Sequence, residues 1–215
     1  MTFAEFTQHL KRIEKAPLPG SDAHLRMAPV NRPVNTSKQH LAKAKKAGVL
    51  ALVIPVQEKA HLVLTKRTAY PGTHSAQMSF PGGKMETSDQ NLTHTALRET
   101  REEIGVPERQ ITLVRLLSGL YIPPSNFWVQ PVLGYSRVAP PFYLDTVEVQ
   151  RLHLVPLSLI IDPTAVQQVP VRKGYKAPAI VHEKEVIWGA TAMIISEIAA
   201  LFNKSVNTQA LHRPK

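Results

Sequence analysis

Apolar and polar positions along the chain follow two different periods, which predict a mixture of helices and strands. Residues 3–15 carry an apolar side chain every three or four positions, the spacing of one stripe on an amphipathic helix. The runs GVLALVIPV at 48–56 and HLVLTKR at 61–67 are β-rich, and the residues 57–60 between them predict a hairpin turn. The chain therefore begins with a helix and forms its first strand pair from about residue 48.

A second helix is predicted in the middle of the chain, from about Asp89 to Ile104. Ser88 or Asp89 can cap its start, and Gly105 ends it. The remaining predicted elements are a short basic helix at 37–46, strands at 111–119, 126–136, 153–159, 169–172, 177–182 and 186–189, and a final helix at 190–202. This order predicts an α/β fold of the α+β type, with a mixed β-sheet sandwiched between helices.

The length and composition fit a single well-cored domain with terminal extensions. The chain has 215 residues, of which 43% are hydrophobic and 20% charged, as in ordinary globular proteins. We expect residues 1–47 to form a helical, basic extension that packs on the core, residues 48–204 to form the main domain, and residues 205–215 to form a flexible tail.

Several classes of site and location are excluded or disfavoured by composition. The chain contains no cysteine, so it has no disulfide, thiolate zinc site or cysteine nucleophile. Its first residues carry charges from Glu5 onward and lack the apolar core of a signal peptide. The longest apolar stretches are too short or too polar to span a bilayer. We therefore expect a cytoplasmic protein without a membrane partner.

The net charge of +10 has two interpretations, a nucleic-acid partner or a surface that steers small anions. The basic residues lie mainly in the first 46 positions and in scattered loops, without interleaved aromatic side chains. A platform for single-stranded nucleic acid would need such aromatic residues for base stacking. The pattern therefore favours an anionic small molecule, or simple solubility, over nucleic acid.

Three carboxylates of the predicted central helix share one face. Glu99, Glu102 and Glu103 stand at positions i, i+3 and i+4, which lie above one another on a helix. Like charges at this spacing repel, and oxygen ligands at this density suit Mg²⁺ or Mn²⁺. The alternative from these residues alone is an ordinary charged face of a surface helix.

The segment upstream of the carboxylates favours the metal site. The sequence Pro81-Gly82-Gly83-Lys84 lets the backbone turn tightly, approach a ligand closely and offer one cation beside it. A glycine loop that leads into an acidic helix places phosphate-binding groups and metal ligands together. The loop and the helix are therefore predicted to form one site.

The stretch SFPGGKMETSDQNLTHTALRETREEIGV resembles the Nudix box, written G-x5-E-x7-R-E-U-x-E-E-x-G-U with U a bulky aliphatic residue. The positions that match are Arg98, Glu99, Glu102, Glu103, Gly105 and Val106. In this chain Asp89 stands for the first glutamate, one extra residue precedes Arg98, and Thr100 replaces an aliphatic residue. The resemblance implies the Nudix fold and hydrolysis of a nucleoside diphosphate linked to another moiety.

The same insertion is a feature of the coenzyme A pyrophosphatase-like branch of the Nudix family, which this chain resembles over about residues 48–200. The segments that carry this resemblance are Phe80–Lys84, Asp89, Thr95–Glu99, Leu64–Arg67, His74–Ser79, Tyr121–Ser125, Glu148-Val149 and Ile187–Gly189. Gly72 and Ala76 stand where the upstream signature of that branch has Arg and Gly. The resemblance therefore implies the family more firmly than coenzyme A itself.

The resemblance and the residue types together assign candidate roles. The predicted cofactor is Mg²⁺ or Mn²⁺, with Glu99, Glu102, Glu103 and the Gly83 carbonyl as ligands. The catalytic candidates are Glu102, Glu103 and Glu148. The substrate-binding candidates are Arg67, Lys84 and His74, and the structural residues of the box are Gly82, Arg98 and Gly105. Arg67 and Lys84 also fit solvated surface cations, and Glu148 and His74 also fit ordinary loop residues.

Rival functions remain open at this point. A non-catalytic binding or regulatory module with the same fold is one, and an RNA-directed enzyme is another. ADP-ribose, dinucleoside polyphosphates and oxidised nucleoside triphosphates are rival substrates to coenzyme A. The expected partner is an anionic nucleotide-type small molecule, and a homodimer is an open alternative to a monomer.

Overall fold

A computed structural model describes residues 1–29, 38–68, 77–172 and 175–210 of the chain. The helices are α1 (Phe3–Lys15), α2 (Gly20–Arg26), α3 (Lys38–Lys43), α4 (Leu92–Ile104), α5 (Leu157–Ile161) and α6 (Gly189–Ala210). The strands are β1 (Lys45–Val56), β2 (Lys59–Arg67), β3 (Met78–Ser79), β4 (Gly82–Lys84), β5 (Thr112–Leu116), β6 (Leu120–Ile122), β7 (Phe127–Tyr135), β8 (Val149–Pro156), β9 (Val166–Arg172), β10 (Tyr175–His182) and β11 (Glu185–Trp188).

The strands form one large mixed sheet and one small antiparallel sheet. The large sheet has the order β3-β2-β1-β7-β5, with β4 paired to β1, β6 to β7 and β8 to β2. Strands β1 and β7 run parallel, and the other pairs in this sheet are antiparallel. The small sheet has the order β11-β10-β9. Strand β1 therefore lies at the centre, next to both β4 and β7.

Strand β1 is apolar on both faces, and each face packs against a different layer. Leu50, Leu52 and Ile54 join Ala96 and Ile104 of α4 in one fully buried cluster. Ala51 and Val53 point to the opposite face, into the larger cluster that includes residues of α1 and α6. This arrangement confirms the predicted mixed sheet sandwiched between helices.

The helix α1 packs onto the face opposite α4. A capping box at Thr2 and Glu5 begins the helix, and its apolar stripe contacts the core through Phe6 and Ile13, both fully buried. The Phe6 ring stacks on Phe202 of α6 with centroids 5.6 Å apart. The predicted helix at 3–15 is therefore confirmed.

Several predicted boundaries were wrong, and long-range pairing explains the largest differences. The basic helix predicted at 37–46 ends at Lys43, because residues from Lys45 onward pair with β7 and extend β1. The strand predicted at 111–119 ends at Leu116 as β5, and the short strand β6, which was not predicted, follows it; both pair with β7. The strand predicted at 153–159 starts earlier, at Val149, and gives way to helix α5 after Pro156.

The helix α2 was not predicted, because Pro19 and Gly20 are typical of a chain break. It is held by the fully buried carboxylate of Glu197 on α6. That carboxylate accepts a hydrogen bond from the Gly20 N–H (3.1 Å) and lies 3.3 Å from Nε2 of His24. A contact between residues so far apart in the chain leaves no local pattern.

The last helix, α6, is longer at both ends than predicted. It begins at Gly189 and continues to Ala210, so the helical backbone includes six residues of the segment expected to be a flexible tail. Among the helices of the described ranges, none combines the length and the apolar character that crossing a membrane requires.

Candidate active site

The predicted glycine loop contains strand β4, which pairs with the start of β1, and its two glycines cannot be replaced by larger residues. Gly82 has φ +150°, and a Cβ there would lie 2.4 Å from the Gly48 carbonyl oxygen. A Cβ on Gly83 would lie 2.5 Å from the Glu99 carboxyl carbon. The missing side chains therefore let the loop backbone pass directly over one of the helical carboxylates.

The helix α4 brings the three predicted carboxylates to this loop at different depths. Glu103 is only 3% exposed, Glu99 is mostly buried, and Glu102 is about half exposed. The Gly82 N–H donates to Oε2 of Glu103 (3.1 Å), so the deepest carboxylate is tied directly to the glycine loop. Burial raises the pKa of Glu103 to about 7 and also raises the pKa of Glu99.

Arg98 connects the loop to the carboxylate face. Its guanidinium donates to both oxygens of Asp89, each at 3.0 Å, and to the Lys84 carbonyl at 3.1 Å. It also pairs with Glu99 (3.0 Å) and Glu102 (2.7 Å). One planar side chain with several donors therefore sets the positions of two site carboxylates.

Asp89 has a different role from the one predicted. The helix begins later than expected, with Asn91 as its cap accepting from the His94 N–H at 2.9 Å. The buried Asp89 carboxylate instead accepts from the Glu86 N–H (2.9 Å), the Thr95 hydroxyl (3.0 Å) and Arg98. The hydrogen bonds from Arg98, with further help from Glu86 and Thr95, hold the pKa of Asp89 well below its usual range. Despite the extra residue before Arg98, Asp89 reaches that arginine.

Thr100, which departs from the box sequence, and Gly105, which matches it, each fit their local surroundings. Thr100 is fully buried, and its hydroxyl donates to the Ala96 carbonyl at 2.6 Å, so no polar group is left without a partner there. Gly105 ends α4 with φ +75°, and its N–H donates to the Arg101 carbonyl at 3.0 Å. A Cβ at Gly105 would also lie 2.8 Å from Cβ of Tyr143, so the glycine admits the following loop.

Arg67, at the end of β2, and Glu148, just before β8, both lie next to the carboxylate face of α4. Arg67, at the end of β2, lies 3.4 Å from Oε1 of Glu103 through one guanidinium nitrogen and 3.7 Å from Oε2 of Glu148 through the other. Glu148 precedes β8 and is about half exposed. Its negative charge is close enough to raise further the pKa of Glu99 and Glu103, beyond the effect of burial. The structure therefore brings Glu148 to the residues of the box.

The predicted site residues do not all lie together. Lys84 is exposed at the rim of the cleft described below, and its backbone carbonyl contacts Arg98. His74, together with Gly72 and Ala76, lies outside the described residues. Glu102 points away from the cleft lining toward Arg98 and Arg101.

The carboxylates fit a divalent cation by chemistry but are engaged by arginines as they stand. Within the described ranges, no three acidic or histidine side chains converge as a ready-made metal cage. Arg98 contacts Glu99 through Oε1, which leaves the second oxygen of that carboxylate for a cation. The pKa values of Glu99 and Glu103 are raised although each carboxylate has an arginine partner, because burial outweighs the arginine charge, and a hard cation with oxygen ligands can supply further positive charge.

A cleft of about 820 Å³ opens beside this group. Arg67, Glu99 and Glu148 line one end of it, next to Gly82 and Gly83. The rest of the wall is largely apolar and comes from the large sheet, the small sheet and α6; its members include Val49, Phe127, Val129, Trp188 and Ile194. The small-sheet residues Tyr175 and Lys176 stand at its exposed edge.

The apolar wall was not predicted from the sequence. The structure places Trp188, partly exposed, at the cleft wall. No local motif marks these residues, because they come from separate elements that meet only in the folded chain. The predicted strands within 177–189 were the one sequence feature that could have indicated this wall, because their apolar side chains need another layer to pack against.

Comparison with known proteins places the chain in a class of phosphohydrolases. Residues 45–158 match the profile of the NUDIX domain, which is more than half of the chain. The chain belongs to the Nudix family, whose hydrolases act on pyrophosphate bonds and generally use divalent metal ions.

Known relatives agree with this assignment. The chain is 31% identical over 154 residues to a protein of Yersinia pestis (strain Pestoides F) described as "Uncharacterized Nudix hydrolase NudL". The aligned residues cover 69% of this chain and 77% of that protein. A relative of the same name from Yersinia pseudotuberculosis serotype O:1b (strain IP 31758) gives the same values. The crystal structure of the MutT protein from Methanosarcina mazei Go1 is similar in fold, with a TM-score of 0.50, 16% identity, and coverage of 74% of this chain and 95% of that chain.

Proposed function

We propose that this chain hydrolyses the diphosphate bond of a nucleoside diphosphate derivative with the help of Mg²⁺ or Mn²⁺. The substrate we put first is coenzyme A or a related compound, which would yield 3′,5′-ADP and 4′-phosphopantetheine. The observation that carries the proposal is the packing of the α4 carboxylates behind the Gly82–Gly83 loop, at the polar end of the cleft.

In this proposal Glu99, Glu102 and Glu103 hold the divalent cation, together with the Gly83 carbonyl. When bound, the cation neutralises negative charge on the diphosphate. Arg98 keeps Glu99 and Glu102 oriented, and the Gly82 N–H orients Glu103. These contacts hold Glu99 and Glu103 in place before substrate arrives, whereas Glu102 has to turn away from Arg98 to join them in binding the cation.

The candidates that orient and deprotonate the attacking water are Glu102, Glu103 and Glu148. Glu103 is buried behind the glycine loop, whereas Glu148 is about half exposed and lines the cleft. A general base must reach water and substrate, and this requirement favours Glu148. Arg67 lies between the two carboxylates and supplies a fixed positive charge at the same end of the cleft.

The size and lining of the cleft support a bulky substrate. A volume of about 820 Å³ lies within the range of sites that enclose whole cofactor-sized ligands. The apolar wall suits a group that is partly apolar, as the pantetheine arm of coenzyme A is, while Lys84 at the rim suits a phosphate. ADP-ribose, dinucleoside polyphosphates and oxidised nucleoside triphosphates are the rivals.

The experiment that tests this proposal is a hydrolysis screen with Mg²⁺ and with Mn²⁺. Its substrates are coenzyme A, acyl-coenzyme A, ADP-ribose, NADH and diadenosine polyphosphates. We expect metal-dependent cleavage, fastest for coenzyme A or its acyl derivatives. Faster cleavage of another compound would replace coenzyme A as the substrate, and cleavage of none would favour a non-catalytic binding module.

A further inference from the structure

The loop that carries Glu148 is fastened to the end of helix α4. It follows β7 and reaches β8 at Val149. Its backbone donates two hydrogen bonds to the last turn of the helix, from Tyr143 N–H to the Ile104 carbonyl (3.1 Å) and from Asp145 N–H to the Glu103 carbonyl (3.0 Å). One residue of the carboxylate face, Glu103, is thus also an anchor for this loop.

Asp145 folds the segment that follows it. Its side-chain Oδ1 accepts a hydrogen bond from the Val147 N–H at 2.8 Å. Its backbone carbonyl accepts from the N–H groups of Glu148 (3.2 Å) and Val149 (2.8 Å). Three consecutive N–H groups therefore depend on Asp145, and the direction of the Glu148 side chain depends on this turn.

Thr68 ties the same turn to strand β2. Its hydroxyl donates to the Val147 carbonyl at 2.7 Å, and its N–H donates to the Glu148 carbonyl at 3.0 Å. The neighbouring residue in the chain is Arg67, which contacts both Glu103 and Glu148. The turn is therefore fastened at two points, to helix α4 and to the end of β2.

These hydrogen bonds oppose the charge repulsion that would displace Glu148. Apolar packing holds the start of the loop, where Phe142 and Leu144 lie against the core, but not the turn before Glu148, where Val147 is 80% exposed. The Glu148 carboxylate also stands near the like charges of Glu99 and Glu103, which repel it toward solvent. The Arg67 guanidinium attracts this carboxylate from 3.7 Å, and the fixed backbone of the turn keeps the side chain within its reach.

We propose that Asp145 and Thr68 are positioning residues that hold Glu148 at the polar end of the cleft and affect turnover only through it. This inference rests on the proposed function, in which Glu148 is a catalytic candidate. Neither residue is part of the cleft lining, so neither is placed to contact substrate directly.

A double-mutant cycle tests this role with the substrate that the screen shows to be cleaved fastest. We expect Asp145→Ala to lower kcat by about a hundredfold, because small displacements of a catalytic group have effects of this size. KM should change by less than about twofold. In the Glu148→Gln background the same change should have almost no further effect on kcat.

Conservative variants and a matched control separate positioning from folding. Asp145→Asn keeps the Oδ1 acceptor and should retain most of the wild-type kcat, and Thr68→Ser should do the same while Thr68→Val lowers kcat. Asp162 makes the same type of turn at the surface, accepting from the Thr164 N–H at 2.8 Å, and is not part of the cleft lining. Asp162→Ala should therefore leave kcat unchanged.

Hydrogen exchange gives a reading that does not depend on turnover. The amide of Val147 should exchange faster in Asp145→Ala than in the wild type, and at the wild-type rate in Asp162→Ala. Equal losses of kcat from Asp145→Ala with and without the Glu148 carboxylate would overturn the positioning role, as would a fully active Glu148→Gln. A wild-type protein that cleaves no substrate would instead overturn the proposed function.

Discussion

Arg98 shows how one residue can determine the geometry of a whole carboxylate face. It contacts Asp89, Glu99 and Glu102 and also a loop carbonyl, and its pKa is raised chiefly by the hydrogen bonds to Asp89. Lysine carries the same charge but only one nitrogen, so it cannot reproduce these contacts. The planar fork of the guanidinium is therefore the property on which the site depends.

The substitution Arg98→Lys should lower the free energy of unfolding by about 2 kcal/mol, because the buried Asp89 carboxylate loses part of its hydrogen bonding. Urea denaturation measures this change. Arg101→Lys on the same helix is the control, since that side chain is 63% exposed and should change stability by less than about 0.5 kcal/mol. Equal effects of the two substitutions would contradict the role of Arg98.

Glu103 makes the stability of the metal-free protein dependent on pH. Burial raises its pKa from 4.5 to about 7, so over this interval the folded protein binds more protons than the unfolded chain. The free energy of unfolding should therefore fall as the pH rises between about 5 and 7, by at most about 1.4 kcal/mol per pH unit. Glu103→Gln should flatten this dependence in urea denaturation.

A divalent cation should reverse this trend. Because it binds the ionised carboxylates, Mg²⁺ or Mn²⁺ should raise the melting temperature more at about pH 7 than at about pH 5. A stabilisation that is equal at both pH values, or unchanged in Glu103→Gln, would show that the ion binds elsewhere.

At the scale of elements, the close approach of α4 to β1 depends on Gly48. A Cβ at this position would lie 2.0 Å from the Leu92 carbonyl oxygen and 3.0 Å from the Ala96 nitrogen. Both are backbone atoms of the helix, so the helix as a whole would have to move. Gly48 therefore fixes the distance between the central strand and the carboxylate helix.

Gly48→Ala should destabilise the protein by about 3 kcal/mol, since it overpacks a rigid contact. It should also lower turnover, because α4 would shift relative to the glycine loop. Gly134→Ala is the matched control: its Cβ would meet its nearest neighbour, the Ile111 side chain, at 3.2 Å. Thermal unfolding of both variants tests whether Gly48 fixes the distance between β1 and α4. Equal melting temperatures of Gly48→Ala and Gly134→Ala would contradict this role.

Elements held by local pattern were predictable, and those held by distant contacts were not. The hairpin of β1 and β2, the helix α1 and the end of α4 at Gly105 follow from periodicity and capping residues. The start of α4 was misplaced because Asp89 is a good cap by residue type, but its carboxylate is taken by Arg98, and Asn91 caps the helix instead. The prediction missed α2 because Glu197 holds it from the other end of the chain.

The same division applies to the candidate site. Glu99, Glu102 and Glu103 lie on one helical turn, so their common face could be predicted from spacing alone. The position of Glu148 beside them depends on the pairing of β8 with β2, which the sequence pattern does not specify. Asp145 carried no signal at all, because its contacts are backbone groups of its own loop and of α4.

At the scale of the whole molecule, the cleft exists because two sheets and α6 meet at one point. Its polar end comes from the large sheet and α4, and much of its apolar wall from the small sheet and α6. In the proposed function, the chemical step and the recognition of the rest of the substrate therefore fall to different layers. Changes in the small sheet should alter substrate affinity without altering the chemical step.

Tyr175→Ala tests this separation. Tyr175 is 57% exposed at the cleft edge, so its removal should have little effect on stability. We expect KM for the preferred substrate to rise by about tenfold, since an apolar contact with the bound substrate is lost, with kcat within about twofold of the wild type. Leu116→Ala, 50% exposed on the edge strand β5, is the control and should leave both constants unchanged.

The most direct measurement of the central claim is the Mg²⁺-dependent turnover of Glu102→Gln and Glu103→Gln beside the wild type. Each change converts the carboxylate into an uncharged carboxamide of almost the same volume. Circular dichroism verifies that the variant is folded. We predict a folded protein in both cases and a kcat lower by several orders of magnitude, about the scale seen when charge stabilisation of a transition state is removed. Near-normal turnover in both variants would contradict the assignment of a metal-dependent site to the carboxylate face of α4.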